Sequence, residues 1–240
     1  MLMDLETART YLPMLLEGTV RTLWLTAATL VTGMLIAVPV AFCRNARAWP
    51  LRAFAIGFVF AFRGAPLLVL LFLIYFGAPE IGLIRGTFLW RFFNEPVLCA
   101  VLALSLNSAG YLSEILANAL RNVPRGEIEA ATVAGMSRLA LFRHVILPNA
   151  ARIGLRNYGN EVTFVIKGTS AASLVTIIEL MASANQVYYN TFDPITPLVA
   201  AGAIYVMMVL TMARLMDRLE IRLSPELRRR RQRLAGADQK

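Results

Sequence analysis

Histidine and cysteine are nearly missing from this chain: His144 is the lone histidine, and Cys43 and Cys99 are the two cysteines among 240 residues. A zinc site needs several such ligands at short spacing, and no such spacing occurs. Both cysteines fall at the ends of apolar runs or within them, which argues against a disulfide scaffold. No Gly-x-x-x-x-Gly-Lys-Ser/Thr phosphate loop is present, so the chain does not bind ATP in that mode. Acidic residues are scarce too, 15 against 24 Lys and Arg. A membrane-embedded enzyme needs His, Asp or Glu gathered near one bilayer face. With one histidine and no paired acid motif, that class is weakly supported.

Apolar residues are what the chain has instead. It is 58% hydrophobic and 16% charged, well outside the balance of soluble domains. Crossing a hydrocarbon core of about 30 Å takes roughly 20 apolar residues in a helix. Windows at 22–42, 54–76, 96–116, 162–181 and 197–216 qualify, the second and fifth most cleanly. Polar residues interrupt the third and fourth. The runs are continuous and lack the alternation of an outer-membrane barrel. The expectation is an all-α, polytopic bundle of about five transmembrane helices.

Basic residues set the orientation. Arg44, Arg47 and Arg52 follow the first window, and Arg121, Arg125, Arg138, Arg143, Arg152 and Arg156 lie between the third and fourth. Arg214, Arg218, Arg222, Arg228, Arg229, Arg230, Arg231, Arg233 and Lys240 crowd the end. The alternate connections hold Arg85 and Arg91, or nothing between Ser183 and Thr196. This pattern predicts an N-terminus on the outer face and a cytoplasmic C-terminus, and it accounts for most of the net charge of +9. The basic tail directly follows a span, so it is expected to meet membrane lipids and not nucleic acid. Asp4, Glu6 and Glu17 precede the first apolar run where a signal peptide would be basic. That run is read as a retained helix with an amphipathic lead-in at 4–21.

Between the third and fourth windows lies a polar helical hairpin. Pro124 suits the first turn of a helix, and Glu127 and Glu129 sit near the positive end of its dipole. Ala130, Ala131, Val133 and Ala134 form a small-residue surface. Gly135 supplies the left-handed dihedrals of a C-cap. Ser137 can cap a second helix carrying Leu139, Phe142 and Ile146, which Pro148 bends or ends.

Glu129-Ala130-Ala131, Gly135 and Ile146-Leu147-Pro148 resemble the "EAA" loop of bacterial ABC importer permeases. Arg63-Gly64-Ala65-Pro66, Leu104-Ser105-Leu106-Asn107 through Tyr111 and Glu114, Asn160-Glu161-Val162 and Lys167-Gly168-Thr169-Ser170 resemble segments of the polar amino-acid group. The likeness covers roughly 19–222 and leans toward M-type subunits of histidine/lysine/arginine and opine importers. The chain departs from the pattern at Ala65, Gly168, Ala171 and Arg156-Asn157.

The resemblance implies a permease domain at 1–225, its coupling loop at about 121–158, and a basic tail at 226–240. It implies a type I importer transmembrane domain that moves polar or basic amino acids or opine-like derivatives, with no catalytic residue, metal or cofactor of its own. ATP would be bound by a partner ABC ATPase dimer docked on Glu129, Ala130, Ala131, Gly135, Leu147 and Pro148. A periplasmic binding protein and a second permease subunit, related or identical, complete the set. A passive channel or a carrier without an ATPase is the alternative.

Polar residues inside the windows are the candidates for the substrate path. Lys167 stands mid-span, where a lone ammonium costs about 2.5–3.5 kcal/mol on insertion scales. With Thr169 and Ser170 it either meets a substrate carboxylate or pairs with Glu161, Glu114 or a helix C-terminus. Asn107, Tyr111 and Glu114 share one helix face beside Ser108, facing the path or bonding between helices. Arg63, before Gly64 and Pro66, either binds an anion or stabilises a helix break. Tyr188-Tyr189-Asn190 are expected in an outer loop, touching the binding protein or anchoring at the interface.

Overall fold

The structure is a computed structural model that describes residues 5–82, 86–87 and 89–223, with the backbone alone for 5–9 and 89. Asp4, Arg85 and the tail at 226–240 lie outside the described residues. Among these, all regular structure is helical.

Helix α1 runs unbroken over Leu5–Arg44, so the expected lead-in and first span are one element. At 1.5 Å per residue it is about 60 Å long, twice the hydrocarbon thickness. Its buried stripe of Leu15, Gly18, Thr22, Leu25, Thr29, Gly33, Ala37 and Val40 recurs at three- and four-residue steps. That spacing keeps one face against the bundle from Leu15 to Val40.

The second window is not one straight helix. Helix α2 (Trp49–Gly64) stops, and α3 (Leu67–Phe72) leaves at 100° to it before continuing through a π turn, Leu73–Gly77, to Glu80. The cause is local. Pro66 forces its predecessor out of the helical region, and Ala65 adopts φ −75°, ψ 135°. Averaged hydropathy hid this break. A short helix α4 (Leu89–Phe93) precedes α5 (Pro96–Arg121), the central helix. In its most apolar window 61% of residues are buried, against 11% for the peripheral last helix. Ala100, Ala103, Ser105, Ser108, Ala109 and Ser113 are all buried along α5. Small side chains of this kind let helices approach closely in lipid. At Gly110 a Cβ would stand 3.3 Å from the main-chain nitrogen of Arg63, so glycine is what lets α2 lie against α5.

The hairpin follows as α6 (Arg125–Val133) and α7 (Arg138–Leu141). A π turn at Phe142–Ile146 then joins α7 to α8 (Leu147–Gly168). Pro148 was expected to bend or end this helix, and it does not end it. Proline removes one N–H and crowds the carbonyl four residues back. The wide turn, in which Leu147 N–H donates to Phe142 O, relieves that conflict and the helix runs on. A 3₁₀ stretch, Thr169–Val175, leads to α9 (Leu180–Thr191), bent 49° from the preceding rod. Tyr188, Tyr189 and Asn190 form the last turn of α9, not a loop. Helix α10 (Ile195–Leu223) closes the described chain. Among the described residues three helices are long and apolar enough to cross a membrane alone, and up to five spans result if each bent pair counts as one.

Candidate functional site

Two features stand out, an exposed hairpin and a polar cleft, and one rod connects them.

The hairpin is rigidly capped. Pro124 stands at the N-cap of α6 with φ −57°, ψ 124°, one position earlier than its place in the first turn. At the other end Gly135 adopts φ +78°. Met136 N–H donates to Ala131 O (3.1 Å) and Gly135 N–H to Thr132 O (3.0 Å), the paired bonds of a Schellman cap. Ser137 then caps α7 by accepting from Ala140 N–H. Ile128 packs on Ala119, Val123 and Ala150, and Ala131 is buried. Glu129, Ala130, Gly135, Leu147 and Pro148 are exposed. So are Val133 and Leu139, at 89% and 76%, and Met136. These three form an apolar tip that sequence patterning did not single out. Its signal was a large apolar residue on either side of a capping glycine.

The cleft consists of two adjoining recesses of about 470 and 390 Å³ that share Arg63 and Glu114. Arg63 comes from the last turn of α2, with its Cζ 4.9 Å from the centre of the Tyr111 ring, a cation–π stack. Tyr111 also packs on Phe164, centroids 5.5 Å apart. Glu114 lines both recesses, and its Oε1 is 2.6 Å from Arg44 Nε. Asn118, Asn157, Asn160 and Glu161 complete the second recess. The walls therefore carry both signs of charge and several amides.

The remaining candidates divide. Asn107 is buried, and its Nδ2 donates to Phe62 O at 2.8 Å, a carbonyl left orphaned where α2 ends. Ser108 Oγ donates to Glu161 Oε1 at 2.7 Å. Thr169 is buried and bonds back to Ile166 O, while Ser170 bonds to Lys167 O, each at 2.7 Å. Lys167 is exposed and forms no ion pair among the described residues. Its ammonium is thus not held by Glu161 or Glu114.

One buried carboxylate was missed. Glu179 is fully buried and caps α9 by accepting from Ala182 N–H at 2.9 Å. It also accepts from Tyr205 OH at 2.6 Å and Thr22 Oγ1 at 3.3 Å, tying α1, α9 and α10 together. An acid inside an apolar window is itself the signal.

The broken spans, central small-residue helix, polar cleft and exposed capped hairpin define a multi-pass membrane transport component. Residues 29–225 match the family described as binding-protein-dependent transport system inner membrane component, and the chain belongs to that family. It is thus an inner-membrane permease subunit of an ABC importer, a family that works with an ATPase and a binding protein. It is 40% identical to the nopaline transport system permease protein NocM of Agrobacterium fabrum, over 95% of both chains. It is 41% identical to the octopine transport system permease protein OccM of Rhizobium meliloti, over 94% of this chain and 92% of the relative. The histidine/lysine/arginine/ornithine transport system permease protein HisM of Salmonella typhimurium is 37% identical, over 85% of this chain and 88% of its own. A crystal structure of an amino acid ABC transporter with histidines superposes with TM-score 0.81 at 29% identity, covering 92% of this chain and all of the other. An inward-facing MetNI methionine ABC transporter shares the fold, with TM-score 0.71 at 21% identity over 88% of this chain and 96% of that one.

Proposed function

We propose that this permease imports polar or basic amino acids or opine-like derivatives, with Arg63, Tyr111, Glu114, Glu161 and Lys167 lining the path. The carrying observation is the continuous rod from Arg138 to Val175, which joins the exposed hairpin to the helix bearing Glu161 and Lys167. Charges of both signs in the cleft suit a zwitterion. Arg63, with Lys167 further along α8, suits a carboxylate, and Glu161 and the asparagines suit an amine. The relatives named for nopaline, octopine and basic amino acids support this cargo class. Asn107, Ser108, Thr169 and Ser170 hold the cleft walls in shape.

In this reading the hairpin side of the bundle and the C-terminus face the cytoplasm, the N-terminus faces the periplasm, and a binding protein delivers cargo. An ATPase dimer binds and hydrolyses ATP and grips Glu129, Ala130, Gly135 and the apolar tip, over Leu147 and Pro148. The permease chain needs no cofactor. A second permease, a related chain or another copy, completes the path. The test is uptake into vesicles holding the whole complex. Radiolabelled arginine or octopine should enter only with hydrolysable ATP inside, and Arg63→Ala with Lys167→Ala should lower uptake while the ATPase still co-purifies. Uptake that persists without ATP would make the chain a passive channel and overturn the proposal.

A further inference from the structure

Helix α6 is bonded to the rest of the protein at a second point besides its apolar seat. Asn149 Nδ2 donates to Glu127 Oε2 and also to Val145 O at 3.0 Å. Glu127 lies in the first turn of α6, whereas Asn149 lies in the first turn of α8, just beyond Pro148. Between those positions the chain makes the whole excursion around Gly135. Beside this bond stand the loop at the tip and the apolar seat, where Ile128 packs on Ala119, Val123 and Ala150. Apolar packing resists separation of the two helices but resists sliding poorly, because it has no direction. A hydrogen bond to a carboxylate is directional and stronger than a neutral one. The Asn149 amide is further fixed by its bond to Val145 O, so it cannot swing freely with α6.

The π turn makes this fixation matter. Phe142–Ile146 is the wide, less regular part of the rod, and force passing from α7 into α8 must cross it. A link from Glu127 to Asn149 bypasses that turn. We infer that Asn149 and Glu127 form a strut that delivers the motion of α6 directly to α8, and so to Glu161 in the wall of the cleft. Asn149 is a positioning residue: it touches neither cargo nor ATP. This rests on the reading of α6 as the ATPase-docking helix.

The experiment uses the complete complex in vesicles and measures cargo moved per ATP hydrolysed. Asn149→Ala and Glu127→Ala should each lower that ratio about five-fold or more, while ATPase co-purification and hydrolysis are retained. Glu127→Gln keeps an acceptor oxygen and should restore the ratio to near wild type. The double variant Glu127→Ala/Asn149→Ala should be no worse than either single change, because both remove the same link. An unchanged ratio, a proportional loss of hydrolysis and uptake, or additive effects in the double variant would each overturn the strut. A wild-type chain that fails to retain the ATPase would instead overturn the docking reading itself.

Discussion

Asn107 maintains the break in the second span. Its bond to Phe62 O satisfies a part-buried carbonyl at the end of α2, which Pro66, having no N–H, cannot serve. Asn107→Ala should cost about 1–3 kcal/mol, read as a lower midpoint of thermal unfolding in detergent. An unchanged midpoint would show that the carbonyl finds another donor. Asp193, in the connection between α9 and α10, offers a pH handle. A hydrogen bond from the Thr196 side chain, and bonds from the Ile195 and Thr196 amides, hold its carboxyl below the usual aspartate range. The depressed value means its contribution is present above the unfolded value, about 4, and is lost as pH falls through the folded one. Amide exchange in the first turn of α10, corrected for intrinsic rates, should rise on acidification, and Asp193→Asn should remove that pH dependence. Tyr111 and Glu114 were legible as face-sharing residues because helical period alone places them together. The partners Arg63 and Arg44 were not, since they arrive from helices distant in sequence.

Helix α6 shows where sequence reading works best. Gly135 at its end and Ser137 at the start of α7 were marked by rules that depend on a few neighbouring residues, and both caps formed as expected, with Pro124 one position earlier than read. The apolar tip was harder to see. Val133 was read as part of a small-residue surface, yet seating buried Ala131 and half-buried Ile128 turns Val133 outward. Val133→Asp should abolish co-purification of the ATPase and leave membrane insertion and thermal midpoint unchanged, since the side chain touches little within the chain. Retention of the ATPase would shift the grip to Glu129 and Ala130. The break at Ala65–Pro66 was equally written in local chemistry. A window that averages over 54–76 cannot register it, because both arms are apolar.

At the scale of the molecule, the bundle organises around α5, with α1 and α8 held to it and α10 lying largely outside. The hairpin end of α1 is fastened to α5 by Arg44 to Glu114 at 2.6 Å, Arg121 Nη2 to Arg44 O at 3.0 Å and Arg121 Nε to Asn45 at 2.5 Å. Composition made the number of apolar runs legible, but not which helices bend, because bending depends on how buried backbone groups find partners. The wide turn at Phe142–Ile146 has a consequence for the permissible length of the chain. An i-to-i+5 ring holds one residue more than an ordinary turn, so this is a place where the backbone stores a spare residue. Removing His144 together with Pro148→Ala should return the rod to plain α-helix and keep Glu161 and Lys167 aimed as they are. Removing one residue between Pro148 and Glu161 should instead rotate everything beyond it by about 100°. Uptake surviving the first deletion and not the second would mark the turn as the one joint in the rod that tolerates a change of length.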